Sequence, residues 1–297
     1  MQPVFAYDPY NPASNMPMPI AAAPYSGRTI PGQQMMAFGG IQCVVVTDPM
    51  AELEACSSVI IKQQPEIFES ITGCETANRY HVLGNPGSGY YKYLFKCNER
   101  SSFCMRNCCP SNMREFNMDI YHAVAGPITG NMTGVFANAF KPLKIPCFCL
   151  NRPEIMVTLA RDNRYVGKIK HLFSCCDPEF EVYNSRGLLY YIRADCCQCG
   201  LFCANNFCGK LSPATFEIYQ PGSSNVIATI SKMPAQSYSE VVTDADSYQV
   251  GFPPGSNADD KLLLIALGLM IDYQYFETSS SDSGTGGYGY GTRFRYY

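Results

Sequence analysis

The longest unbroken apolar stretch of the chain runs from Leu262 to Ile271, where every residue is apolar or glycine. A helix that is apolar all round has no face for water, so it must be enclosed by protein or by lipid. A bilayer core needs about 20 apolar residues in a helix, and Asp272 interrupts this run well before that length. The pattern therefore predicts a buried core helix. Its predicted core residues are Leu262, Leu263, Leu264, Ile265, Leu267, Leu269, Met270 and Ile271.

Upstream of this helix the pattern changes to short β-like segments bounded by Gly, Pro, Asn and Asp, which is typical of an antiparallel all-β domain. The predicted strands cover residues 41–46, 79–83, 90–96, 116–121, 154–159, 165–169, 180–183, 188–192, 215–219, 226–230 and 247–252. A short helix is predicted over 50–56, because Asp48 and Pro49 form a helix-start signal. Turn signals at 184–187 and 221–222 predict hairpins between neighbouring strands.

Many short strands followed by one entirely apolar helix predict a closed antiparallel β-barrel whose lumen is filled by that helix. Closure also removes exposed strand edges. We assign the barrel to residues 41–277, between a Pro/Gly/Met-rich tail over 1–40 and a Gly/Ser/Tyr-rich tail over 278–297. Residues 9–12 have the PxxP spacing of a polyproline ligand, so the first tail is either a site for protein partners or a spacer.

The charge and the composition of the chain argue against two classes of function, nucleic-acid binding and soluble enzyme activity. The chain has 22 Lys and Arg against 25 Asp and Glu, and only 16% of its residues are charged. No basic cluster is visible, so no nucleic-acid binding is expected. The sequence contains no G-x-S-x-G, Walker A or H-E-x-x-H motif, which favours a protein that is not a soluble enzyme. No secretory signal is recognisable, so a cytosolic location is expected.

The 16 cysteines are grouped along the chain rather than spread evenly. In the absence of a signal peptide, grouped thiols are expected to be reduced and to serve lipid attachment, metal binding or redox chemistry. One group has short spacings that a hairpin tip could bring together as a zinc site, with lipid, disulfide and plain thiol as the alternatives. The predicted zinc ligands are Cys196, Cys199, Cys203 and Cys208.

Several motifs carry a resemblance to a known family. Residues 71–80 and the Arg-Asn-Cys-Cys-Pro run at 106–110 are similar to its entry segment and RNCC motif. Residues 243–248 are similar to FTDADNF, and residues 269–277 resemble LIDFMFFE. The family is the phospholipid scramblases, which belong with the tubby-like barrels. The resemblance implies a twelve-stranded barrel around a central C-terminal helix. It also implies ATP-independent, bidirectional, calcium-linked movement of phospholipids by a membrane-associated protein.

The same resemblance marks residues 244–255 as a calcium segment similar to an EF-hand loop. Asp244, Asp246, Tyr248 and Val250 occupy its ligand positions, and Ca²⁺ is the implied ion. Gly255 replaces the bidentate acid, so the expected binding is weak. The alternation of Tyr248 and Val250 with polar or small residues instead favours a strand, in which the two aspartates satisfy a turn or pair with a nearby base.

Cys147 and Cys149 lie where the family carries a palmitoylation cluster, so the resemblance implies lipidation there. Two acyl chains are about the minimum for a stable membrane hold. A pair of surface thiols is the alternative. The expected partner is then a phospholipid membrane, at the cytoplasmic face of the plasma membrane or of other membranes. The second hypothesis is a structural or adaptor protein that self-assembles or binds partners through its barrel and tails, with an extracellular location open.

Overall fold

The computed structural model describes the barrel and its central helix. The described residues are 35–38, 41–64, 77–87, 89–102, 114–123, 134–144, 151–203, 209, 211–234 and 246–276. Of the predicted first tail (1–40), residues 1–34 and 39–40 lie outside these ranges, and the predicted second tail (278–297) lies outside them entirely. Cys147, Cys149, Cys208 and Asp244 also lie outside the described residues.

Fourteen strands and three helices follow one another along the described chain. They are β1 (Met35–Phe38), β2 (Ile41–Val45), α1 (Pro49–Ala55), β3 (Ser58–Gln63), β4 (Arg79–Asn85), β5 (Tyr91–Glu99), β6 (Phe116–His122), β7 (Val135–Lys141), β8 (Glu154–Leu159), β9 (Tyr165–His171), β10 (Glu179–Asn184), β11 (Gly187–Arg193), α2 (Cys199–Phe202), β12 (Ala214–Tyr219), β13 (Val226–Met233), β14 (Ser247–Gly251) and α3 (Ala258–Ile271). One π-helical turn, Asp272–Phe276, extends α3.

Strands β3 to β14 form a closed barrel in which each strand pairs antiparallel with its sequence neighbours. The circle closes where β14 pairs with β3, with Tyr248 in register with Ile61. The β1–β2 hairpin is attached to the barrel but is not one of its twelve strands. Strand β2 pairs in parallel with the first part of β5, Tyr91–Tyr93, and β6 pairs with the later part of the same strand. Closure leaves these twelve strands without an open edge, and the predicted fold is confirmed.

Helix α3 fills the lumen of this barrel. Its eight predicted core residues are all between 0% and 1% exposed, so the prediction of a buried core helix is confirmed. Gly268 allows close packing on the wall, since a Cβ there would lie 2.9 Å from Cδ1 of Ile61. Asn257 caps the first turn by accepting a hydrogen bond from the Asp260 amide at 2.9 Å. Within the described residues, no helix has the length and hydropathy needed to cross a membrane.

Three strands differ from the sequence prediction. The sheet begins at Met35 rather than Ile41, because Phe38 stacks on His81 with ring centroids 4.2 Å apart and fixes β1. Strands β3 and β7 were not predicted as strands. The sequence of β7, VFANAFK, is rich in Ala and Asn, which have low strand propensity, yet Ala137 and Ala139 are buried in the wall. Tertiary packing overrides propensity at these positions.

Because the strands run up and down, their connections alternate between two ends of the barrel. We call the end with residues 160–164, 185–186, 220–225 and 252–257 the turn end, since these four connections are short. We call the end with residues 142–144, 172–178, 194–203 and 211–213 the thiol end, since it carries six described cysteines outside the core. Helix α3 begins at the turn end, and its π-helical turn reaches the thiol end.

Candidate functional site

A buried polar network lies where the central helix ends, at the thiol end. Asp272 is only 3% exposed and accepts hydrogen bonds from the hydroxyls of Tyr80 on β4 and Tyr248 on β14, each at 2.5 Å. Burial, followed by the charges of Asp272 and Asp246, raises the pKa of Tyr248 well above its usual value, so the hydroxyl remains a donor. The acid that interrupts the apolar run therefore anchors the helix to two strands.

Asp246 extends this network to the neighbouring strand β13. Its carboxylate lies 2.6 Å from Nζ of Lys232, which is 2% exposed and sits 4.1 Å from the centre of the Phe276 ring. The Asp246 amide donates to the Gln63 side chain at 3.1 Å. A buried ammonium needs a nearby anion, and Asp246 supplies it. Asp246 pairs with a nearby base, as the strand alternative anticipates.

The described members of the predicted calcium set do not fit a calcium site. Tyr248 and Val250 are buried strand residues, and Val250 lies in register with Ile230 and Val59, so it belongs to the sheet rather than to a wrapped loop. The Tyr248 hydroxyl donates to Asp272, and the Asp246 carboxylate is held by Lys232. Calcium needs oxygen ligands that converge on one point. Calcium binding through Asp244 stays a prediction from sequence.

His171 belongs to the same end and was not predicted as a site residue. Its ring nitrogen lies 2.9 Å from the Tyr275 hydroxyl, and the Arg152 guanidinium lies 3.2 Å from the ring. Burial, followed by the positive charges of Arg152 and Lys141, lowers its pKa to about 3. The imidazole is therefore neutral at ordinary pH. The period-two pattern of β9, which puts His171 on the inward face with Ile169, is the signal that could have identified it.

Outside the barrel, the loop before β10 and the segment after β11 form one surface. Asp177 accepts a hydrogen bond from Nε of Arg193 at 2.9 Å and another from the Cys196 amide at 3.1 Å. These donors, Arg193 first, hold the pKa of Asp177 below its usual value. The Ala194 amide also donates to the Pro178 carbonyl at 3.1 Å. The surface carries exposed Cys175, Cys176, Cys197 and Cys199.

The predicted zinc set is not assembled as predicted. Within the described ranges, the metal-ligating atoms that come together are those of Asp195, Cys196 and Cys197, all within 4.8 Å of one another. The sulfur atoms of Cys199 and Cys203 are not part of that cluster, and Cys208 lies outside the described residues. Desolvation, followed by hydrogen bonds to Cys197 and Asp177, raises the pKa of Cys196 to about 12, which disfavours the thiolate that zinc requires. Zinc binding stays a prediction from sequence.

Cys147 and Cys149, predicted for lipidation, lie outside the described residues. Their segment connects β7 to β8, and both adjoining strand ends are at the thiol end. At the edge of that segment, Nζ of Lys144 donates to the Arg152 carbonyl at 3.3 Å.

Comparison with known proteins gives one consistent match. A family model described as Scramblase matches residues 39–278. Human phospholipid scramblase 1 is 28% identical over 235 residues, which cover 77% of this chain and 66% of the relative. Human phospholipid scramblase 2 is 27% identical over 229 residues, covering 76% and 69%. Human phospholipid scramblase family member 5 is 24% identical over 223 residues, covering 74% of each. The chain therefore spans slightly less than two thirds of the first of these relatives.

Proposed function

The chain belongs to the scramblase family, and from this premise we propose that it promotes ATP-independent, bidirectional movement of phospholipids in a membrane to which it attaches peripherally. The observation that carries the proposal is the extent of the family match, which covers the barrel and its central helix. The protein would act as a lipid translocator rather than as an enzyme.

The filled lumen constrains how lipids would move. The core residues of α3 are at most 1% exposed and pack against the barrel wall, so the described part of the lumen offers no polar groove for a headgroup. A charged or zwitterionic headgroup would lose its hydration in such a dry interior. We therefore assign lipid movement to the outer surface of the barrel where it contacts the bilayer.

Membrane attachment is proposed through acylation of Cys147 and Cys149 at the cytoplasmic face. One acyl chain gives marginal binding, so two chains are needed for a lasting hold. Treatment of the native membrane-bound protein with neutral hydroxylamine, which cleaves thioesters, is expected to release it. A matched sample treated with neutral Tris should remain bound. Retention after hydroxylamine would contradict acyl anchoring.

The activity is tested by reconstitution into sealed vesicles that carry a fluorescent phospholipid in both leaflets. Dithionite bleaches the outer leaflet only, so lipid movement appears as loss of the protected half of the signal, without ATP. Calcium is tested in parallel arms. If it acts through the predicted segment, Asp244→Asn should reduce the calcium response and Asp162→Asn, in the β8–β9 turn, should not. Bleaching equal to protein-free vesicles in every arm would overturn the proposal.

The alternative, a self-assembling structural or adaptor protein, predicts a different result in the same preparation. It would give sedimentable polymers at rising protein concentration, with no lipid movement. Zinc, if bound at the cysteine group, would appear as a mass shift of the native protein that a chelator removes.

A further inference from the structure

Large apolar side chains project from the connections at the thiol end. Phe202 is 74% exposed, and Leu143, Phe173 and Leu211 are between 41% and 55% exposed. They belong to three different connections, β7–β8, β9–β10 and β11–β12. The other large exposed apolar residues within the described ranges lie in strands, on the barrel wall: Met35, Met156, Tyr165, Leu188 and Val226.

The exposure of Phe202 is fixed by the packing of α2. The Gln198 side chain donates to the Thr215 carbonyl at 2.8 Å and accepts from the Thr215 amide at 2.7 Å, so it continues the sheet where β11 has ended. Gly200 lies so close to the backbone that a Cβ would meet the Pro213 oxygen at 2.3 Å. Leu201 is buried. Because Gln198, Gly200 and Leu201 are fixed against the barrel in this way, the Phe202 side chain points outward.

The surroundings of these apolar groups indicate the chemistry of the partner. Exposed Cys175, Cys176 and Cys199 lie in the same connections, and thiols behave as small apolar groups. The nearby charge of Arg193 is offset by Asp177. In the described part of this end, that pairing leaves little net charge beside the apolar side chains, which does not favour a nucleic acid or a strongly charged protein. Its apolar side chains come from three separate connections at one end of the barrel, an arrangement that fits a fluid apolar partner.

We infer that the thiol end is the face on which the barrel rests on a phospholipid bilayer, with Phe202 inserted below the headgroups and Leu143, Phe173 and Leu211 at the rim. This inference rests on the proposed function and names its membrane contact. It is independent of acylation, because the contact is made by side chains alone. The turn end would face away from the membrane.

The chain contains no tryptophan, so single-tryptophan reporters give an unmixed signal. Phe202→Trp reports on the thiol end, and Leu188→Trp is the matched control on the barrel wall at the turn end. Both are produced without acyl chains and mixed with phosphatidylcholine and phosphatidylserine vesicles carrying brominated acyl chains. Phe202→Trp emission is expected to shift to shorter wavelength and to be quenched by the bromines. Leu188→Trp emission is expected to be unchanged.

Three results would overturn the inference. In the first, Leu188→Trp is quenched as strongly as Phe202→Trp. In the second, the Phe202→Trp shift appears without vesicles and grows with protein concentration, which would identify a second copy of the chain as the partner. In the third, neither reporter responds although the proteins float with vesicles; the proposed function would survive that result. Conversely, quenched Phe202→Trp without lipid movement would support the docking face and contradict the proposed function.

Binding strength gives a second, independent readout. Phe202→Asp is expected to weaken vesicle binding of the unacylated protein about ten-fold, because an apolar side chain no longer enters the interface. Val226→Asp, at an exposed apolar position on the turn-end half of the wall, should change binding less than about two-fold. Matching far-ultraviolet circular dichroism and thermal unfolding would show that both variants fold. Equal weakening by the two variants would contradict the assignment of the face.

Discussion

The turn end and the thiol end close the same barrel with different groups. At the turn end, Nζ of Lys261 lies 3.2, 2.7 and 2.8 Å from the carbonyl oxygens of Leu53, Glu54 and Cys56, so one ammonium satisfies the end of α1. At the thiol end, closure depends on side chains from distant strands, such as the two tyrosines that donate to Asp272.

The two ends therefore differ in how much of their surface is taken up by closing the barrel and how much is exposed for contact with other molecules. The hairpins of the turn end need only a few residues, including Gly187 and Gly222 with φ of 126° and 77°, values that glycine adopts at little cost. The β7–β8, β9–β10 and β11–β12 connections of the thiol end are longer than these hairpin turns and carry exposed thiols and the exposed rings of Phe173 and Phe202. Residues Asp272–Phe276 of the π-helical turn are all buried at this end. We therefore expect that the exposed side chains of these connections are not needed to close the lumen.

The largest expected effect comes from breaking the core that both ends share. Leu264 is 0% exposed in the middle of α3, and Leu264→Asp would place a carboxylate in a dry interior with no partner designed for it. We expect loss of the folded domain, measured as loss of the cooperative thermal transition in circular dichroism. Leu188→Asp, at a position that is 40% exposed, should keep a cooperative thermal transition close to that of the wild type. A fully folded Leu264→Asp variant would show that α3 does not fill the barrel.

Removing the ammonium of Lys261 tests the closure of the turn end. Lys261→Met keeps the apolar stem but leaves three carbonyls without their donor, and we expect about 3 kcal/mol lower free energy of unfolding in a urea titration. Lys168→Met removes a half-exposed lysine that pairs with Glu154, and should cost less than about 1 kcal/mol. If the free energy of unfolding falls by the same small amount in both variants, the Lys261 hydrogen bonds do not stabilise the turn end.

The fold could be predicted from the sequence because its signals are local. The unbroken apolar run and the turn residues at 184–187 and 221–222 predict the central helix and two hairpins, and the structure has all three. Strand β7 was not predicted because residues 137–139, Ala-Asn-Ala, interrupt the strand signal of Val135, Phe136 and Phe140. A wall residue such as Ala139 need only be small enough to pack. Strand β1 is short and is fixed by contacts with residues far along the chain.

The candidate site was harder to predict because its partners are distant in sequence. Tyr80 and Asp272 are separated by 192 positions, and nothing local indicates that they meet. Spacing alone suggested Cys196, Cys199 and Cys203 as joint ligands, whereas the short helix α2 turns Cys199 away and leaves Cys196 beside Cys197 and Asp195. The spacing of cysteines along the sequence does not contain the direction of the backbone, and that direction decides which thiols come together.

The thiol end should show the stronger response to acid, through His171. Folded His171 has its pKa lowered to about 3, while the unfolded chain binds the proton near pH 6.5. The unfolded state therefore holds more protons between these values, and stability is lost as the pH falls below 6.5. At pH 5 the loss from this group is about 2 kcal/mol. His171→Gln should flatten the pH dependence of the unfolding free energy by that amount, whereas an unchanged slope would contradict the neutral, buried imidazole.

The smallest expected effect tests whether the outer surface of the thiol end is needed for closure. Asp177→Asn removes the charge that pairs with Arg193, whose side chain is 54% exposed, and an exposed ion pair is worth less than about 1 kcal/mol. The unfolding free energy should therefore change far less than in Lys261→Met.

A local readout should still move, because the negative charge of Asp177 contributes to the raised pKa of Cys196. In Asp177→Asn the pKa of Cys196 should fall, and its alkylation by iodoacetamide at pH 8, followed by peptide mass spectrometry, should quicken relative to Cys175. Asp162→Asn, in an exposed turn at the other end, is the matched control and should alter neither quantity. A loss of stability as large as that of Lys261→Met would mean that these outer connections hold the barrel closed, and that the two ends do not differ in the way their contacts indicate.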